Sequence, residues 1–127
     1  MERLGDLQLR ILRVLWQQGQ ATVAQVQQQL ATQQSRPLAY TTVATMLRKM
    51  EARGLVRHRS QGRRFVYQAA VSEEQVSRHL TTYLLDRLFE GSLAQMVNHL
   101  LEHRQVDPRE LDQLEELIRR KKGEAGV

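Results

Sequence analysis

Not one cysteine occurs in the 127 residues. Disulfides, thiolate metal centres and thiol redox switches are therefore excluded, which fits a cytoplasmic protein, and any signal the chain senses uses other chemistry. No apolar run approaches the roughly 20 residues that span a bilayer. The opening stretch MERLGDLQLR also lacks the long apolar segment of a secretory signal, so neither membrane nor export is expected. Catalytic signatures are equally missing: there is no Gly-rich phosphate loop, no H-E-x-x-H and no nucleophile-base pair, so neither an enzyme nor a cofactor is expected. Acidic residues are scarce in the first part of the chain. Residues 1–71 hold 3 Asp and Glu against 11 Lys and Arg, a net of +8, whereas residues 72–127 hold 11 against 8, a net of -3. A basic half suited to polyanions is followed by a near-neutral half suited to protein, because neutralised phosphates drive non-specific DNA affinity.

The remaining composition is that of a globular protein, with 41% hydrophobic and 26% charged residues. A first helix is expected from Asp6, as N-cap, to about Gln18, burying Leu12, Leu15 and Trp16 with help from Leu9 and Ile11, and ended by Gly19. Thr22 and Gln25 form a T-x-x-Q capping box for a second helix with Val23, Val26 and Leu30 inside. The Gln-rich remainder of that helix reads as a polar solvent face. Residues 32–37 read as a loop.

A third helix, about 40–53, places Val43, Leu47 and Met50 on a buried stripe, with Gly54 as the left-handed cap. Its other positions carry Thr41, Thr42, Ala44, Thr45, Arg48 and Lys49, small hydroxyls and basic groups with no acid among them. Two strands follow over about 55–69, in which Val56 and His58, then Phe65 and Tyr67, alternate with polar residues around a turn near Gln61-Gly62. Phe65 and Trp16 are expected in the core. Helix, helix, helix, hairpin is the order of a winged helix-turn-helix, whose recognition helix enters the major groove. Tyr40, Thr41, Thr42 and Thr45 then face base edges, although Thr42 reads equally as a helix cap; Arg48 and Lys49 suit phosphates. Arg57, Arg59, Arg63 and Arg64 would track the flanking backbone or minor groove.

From Ser72 the chain is helical again. Ser72 and Gln75 make a second capping box, ahead of Val76, Leu80, Tyr83, Leu84 and Leu88 on one stripe. Gly91 interrupts that helix. The next carries Leu93, Met96, Val97, Leu100 and Leu101, and the last, starting at Asp107-Pro108, carries Leu111, Leu114, Leu117 and Ile118. These leucines exceed what a domain of about 70 residues can cover, so self-association is expected. Residues 119–127 read as a frayed tail. His99 and His103, with Glu102 between, stand at a spacing that suits a divalent metal or a pH-sensitive interface, but no third ligand of metal-like spacing accompanies them. The expected fold is mainly α with a small antiparallel β wing: a winged helix-turn-helix domain at 1–71 and a helical dimerisation domain at 72–127. A winged-helix protein adaptor and a small-molecule-sensing repressor are the competing readings.

The stretch AYTTVATMLRKMEARGLVRHRSQGRRFVY resembles the penicillinase-repressor family (the BlaI/MecI/CopY group). The likeness lies in Thr42-Val43-Ala44-Thr45-Met46-Leu47, then Met50, then Arg53-Gly54-Leu55-Val56-Arg57, and extends to Leu12–Trp16 and to the helical tail from Ser72. It implies a homodimeric repressor on an inverted-repeat operator, derepressed by a regulatory protease that cuts within the C-terminal helices. The family's cleaved bond is of Asn-Phe type, and the comparable region here offers Asn98-His99. The copper-responsive branch uses a C-terminal cysteine cluster, so that chemistry is excluded.

Overall fold

The computed structural model describes residues 4–33 and 37–126. Its elements run α1 (Asp6–Gln18), β1 (Ala21–Thr22), α2 (Val23–Gln33), α3 (Tyr40–Ala52), β2 (Val56–Gln61), β3 (Arg64–Ala69), α4 (Glu73–Phe89), α5 (Leu93–Glu102) and α6 (Pro108–Gly126). The chain forms two compact units that divide within α4, between Thr81 and Thr82. The sequence pattern alone suggests a division at Ser72. The fold carries unit 1 further, because Val76 is buried and Leu80 packs against the same core.

Unit 1 is a three-helix core closed by a small sheet. From α1 it buries Ile11, Leu12, Val14 and Leu15; α2 adds Val23, Val26 and Leu30, and α3 adds Val43, Leu47 and Met50. Each set recurs at helical spacing, so one face of each helix joins the shared core, with α2 packed against both α1 and α3. Cap assignment differs from expectation for α1. Gly5 is the N-cap and Asp6 lies in the first turn, where its charge complements the helix dipole; Gln8 reaches back to accept the Gly5 N–H at 3.3 Å. Gly19 ends the helix at φ 82°, a conformation costly for any residue with a Cβ. Trp16 is half-buried, and its indole Nε1–H donates to the Val71 carbonyl at 2.9 Å, tying the end of the sheet region to α1.

Both capping boxes form. The Thr22 hydroxyl accepts the Gln25 N–H at 3.2 Å while Gln25 Oε1 accepts the Thr22 N–H at 2.8 Å; Ser72 and Gln75 repeat the exchange at 3.0 and 2.8 Å. Of the expected loop over 32–37, Thr32 and Gln33 belong to α2, and residues 34–36 lie outside the described residues. The sheet has order β1-β3-β2, all antiparallel. Its third strand, β1, pairs Ala21 with Tyr67 and Thr22 with Val66. Gln61 closes the β2–β3 ladder opposite Arg64, so the turn consists of Gly62 and Arg63, one residue later than expected. Tyr67 is buried but Phe65 is 46% exposed, against the expectation of a core residue. Val66, between them and on the other face of the strand, is buried, so burial stops short of Phe65 and the strand pair runs on from there into solvent.

Unit 2 holds the end of α4 with α5 and α6. Glu90 and Gly91, at φ 49° and 80°, end α4, and the Ser92 hydroxyl caps α5 by accepting the Gln95 N–H at 3.1 Å. Pro108 takes the first helical position of α6, where its missing N–H costs nothing, and Asp107 Oδ1 accepts the Arg109 N–H at 2.8 Å. The expected frayed tail is helical to Gly126. Ion pairs of Arg119 with Glu116 and of Lys121 with Glu124, three residues apart, support that last stretch. Neither α5 nor α6 buries any residue.

Candidate nucleic-acid interface

The stripe of α3 that packs inward decides what its other face presents. With Val43, Leu47 and Met50 buried, Tyr40, Thr41, Thr42, Arg48 and Lys49 are exposed and Ala44 and Thr45 half-buried. Ala39 is the N-cap of α3, which places Thr42 in the first turn and removes the capping alternative for it. Arg48 Nη2 donates to the Thr45 hydroxyl at 3.2 Å, so guanidinium and hydroxyl are held together one turn apart.

A groove of about 510 Å³ opens between the start of α2, the near side of α3 and β3. Thr22, Gln25 and Gln28 line one wall, Tyr40, Ala44 and Arg48 the second, and Arg63, Arg64, Phe65 and Tyr67 the third. Three cations and several hydrogen-bonding side chains thus meet in one concavity, with aromatic surface between them. Beyond the groove, Arg59 Nη2 donates to Gln20 Oε1 at 2.9 Å, and Arg53 Nη1 donates to Gln8 Oε1 at 3.1 Å. Arg57 is exposed on β2, and Lys49 on α3. The expected DNA-facing residues therefore divide: Tyr40, Arg48, Arg63 and Arg64 share the groove, whereas Thr41, Thr42, Thr45, Lys49, Arg57 and Arg59 lie outside its walls.

One acid could spoil this field. Glu51 is the sole Asp or Glu between Asp6 and Glu73. His58 Nδ1 lies 2.7 and 2.8 Å from its two oxygens, so that nitrogen carries the hydrogen and donates. The His58 ring in turn stacks on Phe65 with centroids 4.2 Å apart and meets Tyr67 at 5.4 Å. Burial, followed by the Glu51 carboxylate, pushes the Tyr67 phenol above its ordinary value. Sequence reasoning missed this link between α3 and the hairpin, although a single acid in a long basic stretch was a visible signal. It also missed Gln25 and Gln28 on the groove wall, since nothing in a Gln-rich helix singles out two of its members.

In unit 2, Tyr83, Leu84, Leu88, Leu93, Leu100, Leu101, Leu111, Leu117 and Ile118 are exposed within one chain, Leu88 at 68% and Leu93 at 63%. Val97 and Leu114 are half-buried; Leu80, expected with the pairing leucines, is also half-buried but belongs to unit 1, where it packs against the core. Where exposed apolar side chains such as these form a contiguous patch, the patch is characteristic of an interaction surface. The His99 and His103 rings stack at 4.3 Å instead of converging on a point, and His103 Nδ1 lies 2.9 Å from the His99 carbonyl. Among the described residues no three His, Cys, Asp or Glu side chains gather as a metal site. None of the described helices is long and apolar enough to cross a membrane.

Three helices, a two-stranded hairpin after the third and a basic groove between them define a winged helix-turn-helix protein. Residues 4–120 match the model of the penicillinase repressor family, and the chain belongs to that family. It is 25% identical over 116 residues to the penicillinase repressor of Bacillus licheniformis, covering 91% of this chain and 89% of that one. Among solved structures, it is similar to the DNA binding domain of the repressor BlaI, at 25% identity and a TM-score of 0.49, over 57% of this chain and 90% of the other. It is also similar to the Bacillus licheniformis BlaI monomeric form in complex with the blaP half-operator, at 25% identity and a TM-score of 0.48, over 57% and 87%.

Proposed function

We propose that this penicillinase-repressor family member represses transcription by binding an inverted-repeat operator as a homodimer. In this reading the start of α3 enters the major groove, where Tyr40, Thr41, Thr42 and Thr45 meet base edges; Thr methyls suit thymine methyls and hydroxyls suit bases or phosphates. Arg48, Lys49, Arg57, Arg59, Arg63 and Arg64 neutralise phosphates and set the register. The observation that carries the proposal is the groove, which brings Arg48, Arg63 and Arg64 together, while Glu51, the sole acid between Asp6 and Glu73, is engaged by His58. A protein adaptor would have no use for a wing tip of this charge.

The second half supplies the pairing. Two copies joined through α4, α5 and α6 would cover the exposed leucines and present two recognition helices with twofold symmetry, which is what an inverted repeat demands. Derepression by a regulatory protease belongs to the same reading. Asn98 and His99 are both exposed on α5, and scission between them would remove the rest of α5 and all of α6, and with them the exposed Leu100, Leu101, Leu111, Leu117 and Ile118.

Phosphate neutralisation has a thermodynamic signature that tests the wing directly. Replacing Arg63 or Arg64 by Ala should weaken binding to every duplex alike and lower the slope of log K against log salt by about 0.9 for each phosphate left without its arginine. Titrations at several salt concentrations give that slope. A changed order of preference among operators, with the slope unaltered, would assign these arginines to base reading instead.

A further inference from the structure

Phe65 is the anomaly of the hairpin. It is large, apolar and 46% exposed, and it sits on the wall of a groove whose neighbouring side chains are Arg63, Arg64 and Arg48. An aromatic ring left half in water costs free energy unless something covers it. It is also held firmly. Its face stacks on His58 at 4.2 Å, its edge meets Tyr67 at 6.5 Å, and His58 is anchored by the Glu51 carboxylate at the end of α3. Tyr40 of α3, 52% exposed, lines the same groove and gives it a second aromatic surface. Cations spaced around apolar rings match the alternation along one nucleic-acid strand, where charged phosphates alternate with deoxyribose rings whose carbons are apolar.

From this placement, and resting on the DNA-binding reading above, we infer that Phe65 is a DNA contact. It packs against deoxyribose of the strand that lies along the groove, while Arg48, Arg63 and Arg64 take the adjacent phosphates. Glu51 and His58 act as positioning residues: they fix the ring's angle relative to α3, so that seating the helix and seating the sugar occur together. The contact is apolar, which separates it from those of the arginines. It releases no counterion and therefore leaves no trace in the salt slope.

The test compares the full-length protein with its Phe65→Ala and Phe65→Leu variants on a duplex that the unaltered protein selects. Phe65→Ala should bind about tenfold more weakly, the loss expected for uncovering much of one aromatic side chain, with an unchanged salt slope. Phe65→Leu, which keeps apolar bulk, should recover most of the affinity. Hydroxyl-radical cleavage, which attacks exposed deoxyribose, gives the second readout: at saturating protein, Phe65→Ala should open a short window of sugars that the parent protects, and Phe65→Leu should not. Thermal unfolding should separate the variants little, since the side chain is half exposed. Wild-type affinity with an unchanged footprint for Phe65→Ala would overturn the contact, and so would a salt slope reduced as in Arg64→Ala. Failure of the parent protein to select any duplex would instead strike the DNA-binding reading itself.

Discussion

Ending the chain after Thr81 is expected to yield a folded monomer that binds a full operator about a hundredfold more weakly than the intact protein. The size follows from linkage: when two half-site binders are joined, the second binds at an effective concentration that raises avidity by roughly 10² to 10⁴. The cut lies where unit 1 ends, so Val76 stays buried and Leu80 keeps its place against the core. Ending the chain at Val71 should cost more. It removes Val76 from a site where it is 2% exposed, which should lower stability by roughly 2 kcal/mol. Sedimentation would give the oligomeric state and denaturant unfolding the stability. A truncated chain of residues 1–81 that still sediments as a dimer would remove α5 and α6 from the pairing.

Leu47→Ala should lose about 3 kcal/mol of folding stability, because truncating a fully buried leucine both opens a cavity and forfeits transfer energy. Leu47 is 0% exposed at the centre of the stripe by which α3 seats on the core. The same helix offers an internal control in Thr42, exposed on the opposite side, where Ala should change stability by no more than about 0.5 kcal/mol. Urea unfolding with unchanged m-values would measure both. A small loss for Leu47→Ala would mean that α3 is not anchored by that stripe, and the assignment of its other face to DNA would lose its basis.

Much of this architecture is legible in the sequence because its signals are local. The Thr22-Gln25 and Ser72-Gln75 boxes announce helix starts through hydrogen bonds made within three residues, and Val43, Leu47 and Met50 declare a buried face by spacing alone. What escaped is long-range. A two-residue strand such as β1 has no period to read, and its existence depends on β3 passing beside it. Alternation placed Phe65 and Tyr67 on one face of the hairpin but could not say where along that face the core stops. At the tail, the charged, glycine-containing composition of residues 119–127 reads as fraying, whereas Glu116 pairs with Arg119, Glu124 pairs with Lys121 and the helix continues. The candidate site is a set of basic residues and threonines around one helix that the sequence alone proposes, but its geometry is not legible there. Which of those residues share a groove depends on how α2, α3 and β3 pack, as does the engagement of Glu51 by His58.

Whether the protein reads a twofold operator is tested most directly by selection of duplexes from a random pool, using the full-length protein at about physiological salt, where non-specific binding is weak. Enrichment of an inverted repeat is the predicted result, with half-sites spaced by about one helical turn or a multiple of it, as twofold pairing of two α3 helices requires. Recovery of a pool with no enriched sequence, or of single half-sites without symmetry, would contradict it.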